Sequence, residues 1–414
     1  MDRTASPRVA DAVADAHRRE WAFVLAATVR VAGDIDAAEE AVQDAYANAL
    51  STWDRDGIPR NPGAWLTVTA RRRALDALRR KAAARALPKL PGAGERPGSD
   101  TGLDESEIPD DRLRLIFTCC HPALAPESRV ALTLRLLCGL STADVARSFL
   151  VPEPTMAARI TRAKKKIAAA RIPYREPPAA ELHHRVDAVL SVVYLVYTAG
   201  HTAPSGEDLM RRDLAQRGLE LARMLRALLP GDRDVAGLLA LVLLTEARSA
   251  ARTDEGNGLI LLENQDRSRW DRQAITEGVE LLRLALTARP PGRFAILAAI
   301  AAVHDESPSW QDTDWWEILG LYDVLVERWP SPVVSLNRAI ALGFAAGAAE
   351  GLAELDALGA EPQLARYPYL AAARGDFLVR LGRRREARAA FEEAVILTGN
   401  DAERRYLQQR MDRL

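Results

Sequence analysis

Between Pro88 and Gly102 the chain carries Pro88, Pro91, Gly92, Gly94, Pro97, Gly98, Ser99 and Gly102, a composition with too little apolar surface to order itself. A stretch of this kind cannot sit inside a core, so the chain has to fold as separate bodies on its two sides. Its 414 residues also exceed what one core holds, and two or three domains are expected. The flanking sequence is rich in Ala and Leu and poor in Phe, Tyr and Thr, which favours helices over sheets. The expected fold class is all-α.

Ahead of the break three helices are legible. Ala16, Trp21, Val24, Leu25, Thr28 and Val31 mark a first helix from about Ala14 to Val31, stopped at Gly33. After Asp34 the residues Ile35, Ala38, Val42, Ala45, Ala49 and Trp53 form the apolar stripe of a second, with Asp36, Glu39, Glu40, Gln43 and Asp44 expected to face away. Early acids suit a helix N-terminus through its dipole. The dipole does not call for five acids with no intervening base, and an acidic face of this kind suggests a cationic partner. The third helix follows the polar turn WDRDGIPRNPG, with Asn61 and Pro62 as its start signal. Trp65, Val68, Leu75 and Leu78 are expected on its packed side, and Arg71, Arg72, Arg73, Arg79, Arg80 and Lys81 on the rest, with only Asp76 among them. A basic run is either a solvated face or a surface for a polyanion.

Beyond the break, Asp110 to Cys120 and Pro126 to Cys138 read as helices, with Gly139 as a cap. Ser141 and Asp144 have capping-box spacing at the start of TADVARSFL. The turn LVPEP leads into a helix whose Met156, Ile160, Ala163 and Ile167 form an apolar row. Arg159, Arg162, Lys164, Lys165, Lys166 and Arg171 cover its other faces without an acid. Short helix, tight turn and basic helix make a helix-turn-helix pattern.

From Pro177 onward roughly ten helices joined by short turns, and a tail helix after Asp401, suggest an α-solenoid. Gly375, Ala387, Phe391 and Ala394 have the small-small-large-small spacing at which the two helices of a tetratricopeptide repeat touch. Ala339, Gly351, Leu355 and Leu358 repeat that spacing with weaker residues. Within GNGLILLENQDRSRWD, the polar run with Asp266, Arg267, Arg269 and Trp270 is either a solvated loop with Asp266 and Asp271 as caps or a binding element anchored by Arg and Trp.

Other chemistry finds little support. Cys119, Cys120, His121 and Cys138 lack the paired spacing of a zinc site and read as buried free thiols. His183, His184 and His201 read as ordinary helix residues. There is no glycine-rich phosphate loop, nucleophile motif or zinc-protease motif, so no enzyme, catalytic residue, cofactor or metal is expected. The N-terminus lacks the apolar core of a signal peptide, and no run of about 18 apolar residues occurs, so a cytoplasmic protein without a membrane partner is expected. A net charge of −1 confines any nucleic-acid surface to a local patch.

In this order, GDIDAAEEAVQDAYANAL, NPGAWLTVTARRRALDALRR and GLSTADVARSFLVPEPTMAARITRAKKKI resemble regions two and four of extracytoplasmic-function (ECF) sigma factors of the sigma-70 family. The remainder, with QDRSRWD and SPVVSLNRAIAL, resembles the tetratricopeptide-like C-terminal extension of one ECF group. The resemblance implies a region 2 bundle (10–85), a linker (86–109), a region 4 helix-turn-helix domain (110–174) and a helical regulatory extension (175–414). It implies core RNA polymerase as partner, through the β′ clamp helices and the β flap, and promoter DNA as target. Asp34, Asp36, Glu39, Glu40, Gln43 and Asp44 would face the polymerase. Asp56, Arg60, Asn61, Arg71, Arg72, Arg73, Arg79 and Arg80 would serve the minus-ten element. Glu153, Thr155, Ala158, Arg159, Arg162, Lys164 and Lys165 would serve the minus-thirty-five element. Asp266, Arg267, Arg269 and Trp270 would form a regulatory interface, and the extension would contact the sigma regions. A helix-turn-helix regulator or scaffold acting without polymerase is the alternative, but it leaves the acidic helix and NPGAWL without a role.

Overall fold

The computed structural model describes residues 7–85, 111–149, 151–203 and 205–414; the stretch read as a linker, 86–109, lies outside them. The described residues are mainly helical, with almost no sheet, and divide into two compact units, 1–192 and 193–414.

In the first unit, α1 (Pro7–Ala32), α2 (Ile35–Asp56) and α3 (Pro62–Arg85) pack on one another. Asp34 caps α2 by accepting from the Ala37 amide at 2.8 Å, and Asn61 does the same for α3 from Ala64 at 3.0 Å. The stripe expected for α2 is buried throughout. The face expected for α3 is not the one that packs. Leu66, Ala70 and Ala74 are buried with Gly63 and Thr67, while Val68, Leu75 and Leu78 are exposed. A helix lodged against two neighbours approaches them closely where its side chains are small, so Ala70 and Ala74 bury in line with Leu66 while Val68, Leu75 and Leu78 lie off that face. Trp65 is half-buried and meets Trp53 edge-on at 5.5 Å, as a packing residue does.

The same unit contains α4 (Asp111–Cys119), α5 (Pro126–Leu132), α6 (Thr142–Phe149) and α7 (Glu153–Ala169), and α8 (Ala179–His201) runs from it into the second unit. The stretch expected to be helical to Cys138 widens into a π turn at Thr133–Leu137, which buries Thr133, Leu134, Leu136 and Leu137 together. Gly139 follows in the left-handed region at φ 69°, where a side chain would also strike His17 and Trp21. Ser141 and Asp144 form the expected reciprocal cap, each side chain accepting from the other's amide. Met156, Ile160, Ala163 and Ile167 are the buried row of α7.

The second unit is a succession of helices: α9 (Arg212–Leu228), α10 (Arg233–Glu246), α11 (Arg272–Ala285), α12 (Arg293–Glu306), α13 (Trp315–Arg328), α14 (Pro332–Ala345), α15 (Ala348–Ala357), α16 (Pro368–Arg380), α17 (Arg384–Leu397) and α18 (Asp401–Asp412). Gly375 on α16 and Phe391 on α17 are in the repeat-like contact that the spacing predicts. A Cβ on Gly375 would lie 2.5 Å from the Phe391 ring. Ala339, Gly351 and Leu355 are buried as well, with Leu358 packed against their cluster. Two short strands, β1 (Ser205–Gly206) and β2 (Gly399–Asn400), pair in parallel and join the two ends of the unit.

Candidate nucleic-acid interface

The acidic helix α2 separates into an exposed part and a buried part. Asp34, Asp36, Glu40, Gln43 and Asp44 are exposed; Glu39 is buried. Glu39 lies four residues after Ile35 and three before Val42, so helical period alone places it on the packed stripe rather than the outer face. Its carboxylate is held by two cations from the helix-turn-helix segment. Arg135 Nη2 lies 2.9 Å from Oε1, and Lys164 Nζ contacts Oε2. Lys164 also reaches Asp36 Oδ1 at 2.6 Å. Burial lowers the Lys164 pKa, but the charge of Glu39 and the bonds to both carboxylates outweigh it, so the ammonium stays above its ordinary value.

The basic residues of α3 also divide. Arg72, Arg73, Arg79, Arg80 and Lys81 are exposed. Arg71 turns inward, its Nε 3.5 Å from the Ala27 carbonyl, and its pKa is lowered by burial and by neighbouring Arg30. Ahead of α3, Asp56 pairs with Arg55 at 2.7 Å, which lowers its pKa, and Arg60 and Asn61 are exposed in the turn. The first two turns of α7 present Glu153, Thr155 and Ala158 to solvent. Arg159 lies over the Phe149 ring at 5.5 Å, and Arg162 and Lys165 are exposed. Seven of the residues assigned to polyanion contact are thus surface cations, Arg60, Arg72, Arg73, Arg79, Arg80, Arg162 and Lys165. Lys164 and Arg71 are engaged with the protein itself.

Three residues outside the expected set join the two helical groups of this unit. The Trp21 indole N–H donates to the Leu136 carbonyl at 3.0 Å, Arg135 binds Glu39, and Tyr174 Oη lies 2.8 Å from the Ala26 carbonyl and 3.1 Å from that of Asp111. Trp21 reads from sequence as ordinary core, and nothing in the spacing marks Arg135 or Tyr174.

In the second unit, the QDRSRWD run packs mainly inward. Trp270 is buried, and Arg267 lies over its ring at 4.5 Å while donating to the carbonyls of His304 and Ser307 at 2.7 and 2.6 Å. Asp266 and Asp271 act as caps, and Asp266 and Arg269 remain at the surface. The three cysteines are buried free thiols. Burial pushes Cys119 well up and Cys120 to about 11. Among the described residues no cluster of three or more His, Cys, Asp and Glu is placed to hold a metal ion.

Comparison with known families settles the affiliation. Residues 17–84 match the model of sigma-70 region 2, and residues 114–167 that of sigma-70 region 4. The chain belongs to the sigma-70 family, as an ECF sigma factor with a C-terminal extension. It is similar to the probable ECF RNA polymerase sigma factor SigI of Mycobacterium tuberculosis, in two strains. The identity is 30% over 179 residues, covering 42% of this chain and 60% of that protein. It is also similar to the uncharacterized protein R00370 of Rhizobium meliloti, 41% identical over 394 residues and covering 94% of this chain and 93% of that one. Residues 185–286 of the sigma factor match a family of unknown function, DUF6596. No solved structure matches. As a sigma factor the protein acts in transcription initiation, and family membership implies binding to core RNA polymerase and promoter DNA. Among the described residues no helix is long and apolar enough to cross a membrane.

Proposed function

We propose that the acidic face of α2 docks on the clamp helices of the polymerase β′ subunit, with Glu40, Gln43 and Asp44 beside Asp34 and Asp36. The turn from Asp56 to Asn61 then holds a flipped base of the minus-ten element, while Arg72, Arg73, Arg79 and Arg80 bind phosphates and keep the strands apart. The α7 helix enters the major groove of the minus-thirty-five element, with Glu153, Thr155, Ala158 and Arg159 at base edges and Arg162 and Lys165 on phosphates. Residues 10–85 and 110–174 act as regions 2 and 4, region 4 also meeting the β flap, and 86–109 links them across the polymerase. Residues 175–414 form a regulatory extension that controls access to the sigma regions, with Asp266 and Arg269 available at its surface. The protein acts in the cytoplasm and makes no covalent change to its partners.

The observation that carries this reading is the order along one chain of an acidic helix, a basic helix and a helix-turn-helix whose first reading turn is exposed. In-vitro transcription with core polymerase and genomic DNA, with start sites mapped, tests it. Discrete starts sharing upstream elements are expected. Glu40→Lys with Asp44→Lys should weaken core binding at least tenfold without affecting the fold, since both acids are exposed. Unchanged core binding by that variant would remove α2 from the interface.

A further inference from the structure

Trp316, in the first turn of α13, is 62% exposed, more than any other Trp, Tyr or Phe among the described residues. Its backbone is held in place. The adjacent Trp315 stacks on Phe344 at 4.4 Å and meets Trp310 edge-on at 4.8 Å, and Asp314 caps the helix by accepting from the Glu317 amide at 2.9 Å. One turn further on stands Gly320, also exposed, where a Cβ would meet nothing within 4 Å. A glycine inside a helix costs stability relative to alanine, so it calls for a reason. Elsewhere in the second unit the reason is visible: Gly218 lies against Tyr197, Gly237 against Ala295, Gly351 against Gly343 and Gly375 against Phe391. Among the described residues, a Cβ on any other glycine inside an α-helix of this unit would come within 3 Å of a neighbour. Gly320 has the notch without the neighbour.

Trp316, Gly320, Asp323 and Glu327 follow at spacings of four, three and four, which align them on one face of α13, and all four are exposed. The charge around them has one sign. Between Arg293 and Arg328 the chain has seven acids and no Lys or Arg. Asp323 pairs with Arg338 at 2.6 Å, whereas Glu317 and Glu327 form no ion pair among the described residues.

We propose that the outer face of α13 is a docking surface for a basic helix of another protein, which lays an arginine or lysine over the Trp316 indole and a small residue against Gly320. An exposed indole beside carboxylates attracts a cation through its ring face and through their charge together. The glycine lets the partner's backbone come close, so that the contact is packed rather than a set of screened surface charges. Trp316 and Glu327 are eleven residues apart, roughly 16 Å along the helix axis, which matches a partner that is itself helical over about three turns. A fixed Trp and its neighbours lose little freedom on binding, as an interface anchor should. A second copy of the chain fits poorly, because its own outer stripe would bring the same acids and no base to meet them. The surface lies wholly within the extension and depends on neither the polymerase nor the DNA reading.

The test uses the full chain and, as probe, a labelled alanine-rich helical peptide with arginine at every fourth position, its binding followed by fluorescence anisotropy. A matched peptide with glutamate in place of arginine is the control. The parent should bind the first and not the second. Trp316→Ala and Gly320→Leu change no charge, and each should weaken binding about tenfold. Glu317→Lys with Glu327→Lys should weaken it at least as much. Gly320→Ala should raise the melting temperature by about 2 to 4 °C, because nothing within the chain needs a glycine there. A lowered melting temperature would show that the glycine serves the fold and would overturn the docking face. Equal binding of the two peptides, or none of either, overturns it as well. Binding that Trp316→Ala and Gly320→Leu leave unchanged places the peptide on another acidic surface, such as α2, with the same consequence. A dimer in sedimentation that Gly320→Leu dissociates would make a second copy the occupant and overturn the basic partner.

Discussion

Asp305, in the last turn of α12, has a side chain of 0% exposure and Arg248 Nε 3.5 Å away. Burial pushes its pKa up to about 6 against the pull of Arg248, Arg267 and Arg272. Its neighbour His304, stacked on Trp310 and edge-on to Trp315, is pushed down to about 3 by burial and by Arg248 and Arg267. The two have opposite effects on stability. Asp305 binds its proton more tightly when folded, so its contribution is full below about 4 and is lost as pH rises through about 6. His304 contributes fully above about 6.5, and its share is lost as pH falls towards 3. Between about 4 and 6 one gains while the other loses, which flattens the profile. Asp305→Asn removes the first of these effects. Its stability relative to the parent should therefore rise from pH 5 to pH 8, by about 1 to 3 kcal/mol, in thermal melts across that range. A difference that stays constant with pH would mean that Asp305 does not titrate in this window.

Among the helices, legibility followed the size of the packed residues. On α7 the buried row is made of Met156, Ile160 and Ile167 with Ala163, and spacing alone found it. On α3 the buried row is Leu66, Ala70 and Ala74, and because two of its three members are alanines, Val68, Leu75 and Leu78 pull the expected face to the wrong side. Small residues carry little hydropathy signal, yet they let a helix approach two neighbours at once. Glu39 was hidden for another reason: its position fits the buried stripe, but its charge argues against burial until Arg135 and Lys164 are known to meet it. The α3 assignment can be tested by a pair of substitutions. Val68→Asp should change stability by no more than about 0.5 kcal/mol, as exposed substitutions do. Ala70→Leu adds volume where there is none and should cost about 1 to 3 kcal/mol in urea unfolding. Equal costs would return the packed face to Val68.

At the scale of the whole molecule, the order of acidic helix, basic helix and helix-turn-helix could be read from sequence, because each is a local pattern. How the second unit joins its own ends could not, because the join depends on two-residue strands and one side chain. Asn400 is fully buried. Its Nδ2 donates to the carbonyls of Ala203 and Asp208 at 3.0 and 2.9 Å, while its Oδ1 accepts from the amides of Ala402 and Glu403. One residue thus caps α18 and ties the tail to a segment 197 positions earlier. Glu403 is fixed beside it by Thr398 and Tyr369 at 2.7 and 2.6 Å. Asn400→Ala removes both roles and leaves buried carbonyls unpaired, at a cost of about 2 to 4 kcal/mol. Asn400→Asp keeps an acceptor for the cap but cannot donate across the join, so comparing the two separates capping from closure. If closure dominates, both variants should speed hydrogen exchange around Ala203 and Asp208 as well as in α18. If Asn400→Asp protects both regions as the parent does, Asn400 acts as a cap alone and the strand pairing holds the ends without it.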